Sequence, residues 1–120
     1  KRGKMIMFER LDTICLSVTN LDQSSAWYQK VLGLDLVFKG EGYRVFAIGE
    51  SEVPLTIEEG HPGQGKKTTY PIFFTKDINQ TYEKLLKSDV KVSEIEADGT
   101  NRYFDFYDLD NNRLQVCFWK

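Results

Sequence analysis

Polar and apolar positions alternate from Leu11 to Thr19, with Ile14, Leu16 and Val18 on one side and Thr13, Cys15 and Ser17 on the other. A period of two marks a strand buried on one face. The period then lengthens: Leu21, Tyr28 and Leu32, with Val31 beside them, share one face at helical spacing. Asn20 supplies an N-cap, Gln23 stands three residues on as in a capping box, and Gly33 ends the helix. Strand-like stretches follow at about 34–39, 43–48 and 53–59, punctuated by Gly40, Gly42 and the Gly49-Glu50-Ser51 turn.

Residues 60–69 hold three glycines and a proline and read as a linker. The pattern then restarts. Tyr70 to Thr75 reads as a strand, and Asp77 caps a helix whose inner face is Ile78, Tyr82, Leu85 and Leu86. Strands are predicted at about 90–96, 101–107 and 113–119, the last two joined by a solvated Asp108-to-Asn112 turn. Asn20-Leu-Asp-Gln23 superposes on Asp77-Ile-Asn-Gln80 at an offset of 57 residues. Each half is one strand–helix–three-strand unit, and its helix covers only one face of its sheet. Two such units can close over the remaining faces.

Composition narrows the function classes. A chain of 120 residues with 41% hydrophobic positions is enough for one domain with a core, here placed at residues 5–120. Module 1 spans about 9–59, residues 60–69 link, and module 2 spans about 70–119. Lys1 to Lys4 are set aside, with Met5 or Met7 read as the start. A net charge of -2 without a basic stripe argues against nucleic acid. No apolar run is long enough for a membrane span and no export signal opens the chain, so a cytoplasmic location is expected. Cys15 and Cys117 form no metal-binding pair and read as two buried thiols without a disulfide.

The stretch from Leu11 to Leu34, with Ala26-Trp27-Tyr28 and Leu32-Gly33, resembles the first module of glyoxalase-type proteins of the vicinal oxygen chelate superfamily, which includes bleomycin resistance proteins and extradiol dioxygenases. The stretch Phe104 to Val116, turning at Asp108-Leu-Asp-Asn-Asn112, resembles that family's closing hairpin. The resemblance implies an α+β fold of two βαβββ modules forming a cup-shaped half-barrel. It also implies a homodimer in which modules of two chains complete each cup. Its metal enzymes use His and Glu at four positions inside the cup. Here those positions carry Thr13, Thr56, Tyr70 and Gln115, with Glu58 one register step from Thr56. That set is a poor shell for a transition metal, and no cofactor is expected. The sole histidine, His61, lies in the linker.

Alternation places Ile14, Leu16, Val18, Val53, Leu55, Ile57, Phe73, Leu114, Val116 and Phe118 toward the helices. The candidate ligand-binding face holds Thr13, Cys15, Thr56, Glu58, Tyr70, Phe74, Asp105, Tyr107 and Gln115. Ser17, Ile72, Arg113 and Cys117 share it. At the third strand either Tyr43 or Arg44 points inward. Tyr70, Phe74 and Tyr107 suit stacking on a planar or cationic ligand, and Glu58 and Asp105 suit pairing with a cation. The alternative is that these side chains fill the cup and satisfy one another. Trp27 covers the helix edge, lies in a subunit contact or is partly buried in the core. The reading leans to a small-molecule-binding protein of the sequestration or antibiotic-resistance kind, with no residue given a catalytic role. The competing readings are a lyase, dioxygenase or thiol transferase with a displaced metal site, a metal-free isomerase, and a dimeric interaction module without a ligand.

Overall fold

The computed structural model describes residues 10–61 and 69–120. The expected domain start at residue 5, the module 1 start near residue 9 and linker positions 62–68 lie outside those residues. Module 1 comprises β1 (Ile14–Val18), α1 (Leu21–Lys30), β2 (Asp35–Gly40), β3 (Tyr43–Ala47) and β4 (Leu55–Glu59). Module 2 comprises β5 (Ile72–Phe74), α2 (Ile78–Lys87), β6 (Glu96–Asp98), β7 (Asn101–Tyr107) and β8 (Arg113–Phe118). The sheets have the same order, β1-β4-β3-β2 and β5-β8-β7-β6, with a parallel first pair and antiparallel neighbours beyond it. This is the α+β, two-module fold that the repeat implies, and the helices keep the 57-residue offset from Leu21 to Ile78.

Local chemistry fixes the helix ends. Asn20 and Asp77 accept the backbone N–H groups of Gln23 and Gln80 at 2.9 and 3.0 Å. Gly33 takes a φ of 69°, and the Leu34 N–H returns to the Tyr28 carbonyl. At the end of α2, Asp89 takes a φ of 60° while Val90 and Asp89 donate back to Leu85 and Leu86, a Schellman closure. Leu86, expected on the inner face, is exposed. It lies about 100° around the helix from Leu85, which is the residue the sheet covers.

The core lies between each helix and its sheet. Val18, Tyr28, Phe46, Leu55 and Ile57 are buried in module 1, and Ile78, Leu85, Phe104, Phe106, Leu114 and Val116 in module 2. Arg44 and Tyr43 are now assigned. Arg44 pairs in register with Ile57, is buried on the helix side, and reaches Asp22 of α1 at 3.3 Å. Tyr43 pairs with Glu58 on the other face. A Cβ at Gly40 would collide with the Tyr43 ring, so glycine there is what lets that ring lie across the strand end.

Two sequence expectations need correction. The strand expected at 90–96 is displaced to Glu96–Asp98, and only an isolated bridge, Val92 to Phe106, lies upstream. The cause is Ser93, whose Oγ accepts the Asp105 N–H at 2.8 Å in place of a backbone carbonyl. The short hairpin closes instead at Gly99 (φ 64°) and Thr100. The Asp108–Asn112 turn is solvated only at its tip: Leu109 and Asn111 are exposed, but Asp108 and Asn112 are buried. Asp108 accepts the Tyr28 hydroxyl at 2.7 Å, Asn112 donates to the Ser17 carbonyl, and Asp110 accepts the Thr19 hydroxyl. The module 2 turn is thereby latched onto β1 and α1 of module 1. Among the described residues no helix is long and apolar enough to cross a membrane.

Candidate functional site

Cross-strand register gathers the candidate residues into rows on the sheet faces that no helix covers. In module 1 the rows are Cys15–Thr56–Val45 and Ser17–Glu58–Tyr43. In module 2 they are Ile72–Gln115–Asp105, Phe74–Cys117–Tyr103 and Arg113–Tyr107. These open faces remain accessible in the single chain: Ile72 is 54% and Phe74 51% exposed. Phe74 also packs edge-on to Trp119, which extends the apolar platform.

The polar groups on these faces are mostly engaged with one another. Thr13 Oγ1 and Thr56 Oγ1 share a hydrogen bond of 2.7 Å, and the Thr13 hydroxyl also lies 3.0 Å from the Pro54 carbonyl. In module 2, Arg113 Nε donates to Asp105 at 3.0 Å, and Gln115 Nε2 donates to the other oxygen of the same carboxylate at 3.0 Å. The Arg113 guanidinium lies 3.9 Å from the centre of the Tyr70 ring. One face of Tyr70 is therefore already covered by a cation, and the charge of Asp105 is already compensated. At the far end Lys91 sits over Tyr107. Of the two open-face carboxylates, Glu58 is exposed and makes no ion pair among the described residues.

The four positions where the resemblance places metal ligands fit a metal poorly. Two are neutral hydroxyls bonded to each other, one is an amide directed at Asp105, and one is a phenol ring under a guanidinium. Zinc and its neighbours favour thiolate, imidazole and carboxylate donors. Among the described residues no three His, Cys, Asp or Glu side chains cluster as such donors.

Both cysteines are free thiols. Cys15, expected buried, is exposed, because its strand position faces away from α1. Its thiol is pushed up in pKa, first by partial desolvation and then by the negative charge of Glu58 beside it. A raised pKa lowers the thiolate fraction at neutral pH, so Cys15 should alkylate with iodoacetamide more slowly at pH 7 than free cysteine. Glu58→Gln should speed that labelling, measured by mass spectrometry. Equal rates in the two proteins would remove Glu58 from the thiol's surroundings. Sequence reading gave Arg113 no role. Its signal was Arg113 lying directly across from Tyr107 and two residues from Gln115, a spacing that puts all three on one face.

Residues 10–116 match the family model described as Glyoxalase/Bleomycin resistance protein/Dioxygenase superfamily. The chain is 29% identical over 118 residues to the metallothiol transferase FosB of Staphylococcus epidermidis, covering 92% of this chain and 84% of that protein. It is 28% identical to the FosB of Staphylococcus haemolyticus at the same coverage. Among solved structures, the antibiotic-binding protein TnmS3 of Streptomyces sp. CB03234 superposes with a TM-score of 0.83 at 16% identity, covering 97% of this chain and 100% of that one. The fosfomycin resistance protein FosX of Listeria monocytogenes superposes with a TM-score of 0.81 at 20% identity, covering 95% of this chain and 96% of that one. At these identities the structural matches establish a shared fold.

Proposed function

The chain belongs to the glyoxalase/bleomycin resistance protein/dioxygenase superfamily, and from that premise we propose that it binds a small molecule without a metal. The binding surface is the pair of open sheet faces carrying Thr13, Cys15, Thr56, Glu58, Tyr70, Phe74, Asp105, Tyr107 and Gln115. One observation carries the reading. The would-be ligand positions are engaged, Thr13 with Thr56, Gln115 with Asp105 and Tyr70 with Arg113, while Glu58 and the aromatic platform at Phe74 are left open. An aromatic, cationic molecule complements that surface, with its ring on Phe74 and its charge near Glu58. Sequestration requires only this complementarity, and no residue is assigned a catalytic step. The unit that binds is a single domain, 5–120, and the location is cytoplasmic.

We propose further that the chain works as a homodimer. Its radius of gyration is 15.8 Å, against about 13.6 Å for a compact chain of this length. The edge residues Leu36, Val37 and Phe38 are exposed as well. A second copy that closes over the open faces supplies the missing wall of each site.

A second reading has its own support: the FosB relatives are metallothiol transferases at 29% and 28% identity. In that reading a metal binds through Glu58, and the protein transfers a thiol.

A thermal-shift screen of aromatic, cationic antibiotics in the presence of EDTA separates the two. A ligand at 100 times its Kd adds about 2.7 kcal/mol, which for a domain of this size raises Tm by about 10 °C. Stabilisation that appears only when manganese, nickel or zinc replaces the chelator would favour the transferase and overturn the metal-free proposal.

A further inference from the structure

A second concavity lies on the helix side of module 2 and borders the open face at Phe74. It is half-enclosed, has a volume of about 300 Å³, and sits where the end of α1 meets β5 and α2. Leu32 and Leu34 of module 1 and Phe73, Leu85 and Phe106 of module 2 supply its apolar wall. Its position follows from the latch. Ser24 near the start of α1 and Tyr28 near its end are tied to Asp110 and Asp108, which fixes where the following Val31–Leu34 segment meets module 2. Interiors rarely leave space larger than a water molecule unfilled.

The lining is uniform in chemistry. No acidic side chain contributes to it, and the one charged residue is Lys84. The hydroxyls of Thr75 and Thr81 are 2.9 Å apart, and Thr81 also donates to the Asp77 carbonyl, so they are engaged with each other. The Lys84 ammonium makes no ion pair among the described residues. A lysine whose stem lines an apolar cavity carries its charge to the mouth.

We propose that this cavity binds a short aliphatic carboxylate, its chain against Leu32, Leu34, Phe73 and Phe106 and its carboxylate at Lys84. The volume admits about ten non-hydrogen atoms at roughly 30 Å³ each, the size of an eight-carbon fatty acid. The site touches the open-face platform only at Phe74 and does not depend on the function proposed for that platform.

Titration calorimetry with octanoate, octan-1-ol and octyltrimethylammonium tests it on the full chain. Octanoate should bind, the alcohol should bind at least tenfold more weakly, and the ammonium compound should not bind. Lys84→Glu, a change at an exposed position, should weaken octanoate at least tenfold with Tm unchanged. Leu34→Trp should fill the cavity and abolish binding. If that variant does not fold, ¹³C-methyl NMR of the unaltered protein must place the octanoate shifts at Leu32, Leu34 and Leu85. Glu58→Gln should leave octanoate affinity unchanged. Absence of octanoate binding, equal binding of the ammonium compound, or methyl shifts confined to Ile72 and Val45 on the open faces would overturn the proposal.

Discussion

Asp108→Ala should destabilise the fold by about 4 kcal/mol, the largest effect expected of any single truncation in a turn. Asp108 Oδ1 accepts the backbone N–H groups of Asp110 and Asn112 at 2.9 and 2.8 Å. Its Oδ2 accepts the Tyr28 hydroxyl and the Asn112 side-chain amide at 2.7 and 2.9 Å. Removing the carboxylate leaves four donors without that acceptor, and each buried unmet donor costs about 1–3 kcal/mol. Water entering the gap recovers part of the loss. Tm should fall by about 15 °C, at roughly 4 °C per kcal/mol. Tyr28→Phe removes one charge-assisted bond and should cost about 2 kcal/mol. The double variant should lose less than the sum, with a coupling of about 1–2 kcal/mol. Strict additivity in urea unfolding would contradict a Tyr28–Asp108 latch. The pH dependence follows the same contact. Burial, then Asp108, raises the Tyr28 pKa above its ordinary value. The neutral phenol is thus favoured in the folded state, so the latch contributes fully below about pH 10 and is lost as the pH climbs beyond it.

Charge changes on the open faces should move the affinity for a cationic aromatic ligand in opposite directions. Glu58→Lys replaces an unpaired carboxylate by a like charge and should weaken such a ligand about a hundredfold, or 2.7 kcal/mol. Arg113→Leu frees Asp105 and uncovers the Tyr70 ring, and should tighten the same ligand about tenfold. Neither change should cost more than about 1 kcal/mol in stability, since Glu58 is exposed and the Arg113–Asp105 pair is partly solvated, at 37% and 19% exposure. Calorimetry on the two variants reads both signs at once. A ligand weakened by both substitutions would show that Arg113 holds the ligand rather than competing with it.

Much of this architecture was legible in the sequence because each module repeats its punctuation. Asn20 and Asp77 cap their helices as the spacing demanded, and seven of the eight strands lie where alternation places them, within three residues at their ends. The exception, β6, was misplaced because Val90 and Val92 read as strand while Ser93 diverts the Asp105 N–H from the ladder. Buriedness of the Asp108 turn was not legible: an Asp-rich turn reads as solvated unless its distant partner, Tyr28, is known. Side-chain alternation assigns residues to a face of a sheet, but it carries no information on cross-strand register or on which polar groups meet. Asp105 and Tyr70 suit either a ligand or a partner within the cup by sequence alone, and Arg113 engages both. Glu58 remains open because its register neighbours are Ser17 and Tyr43, neither of which is a cation.

The central claim is that this superfamily member binds its ligand on the open faces without a metal. Elemental analysis of the untagged protein, purified without chelator, tests it most directly. Far less than one manganese, nickel, zinc, iron or copper per chain is the predicted result, unchanged in Glu58→Gln. One transition metal per chain, lost in Glu58→Gln, would contradict the account and place the chemistry with the metallothiol transferases.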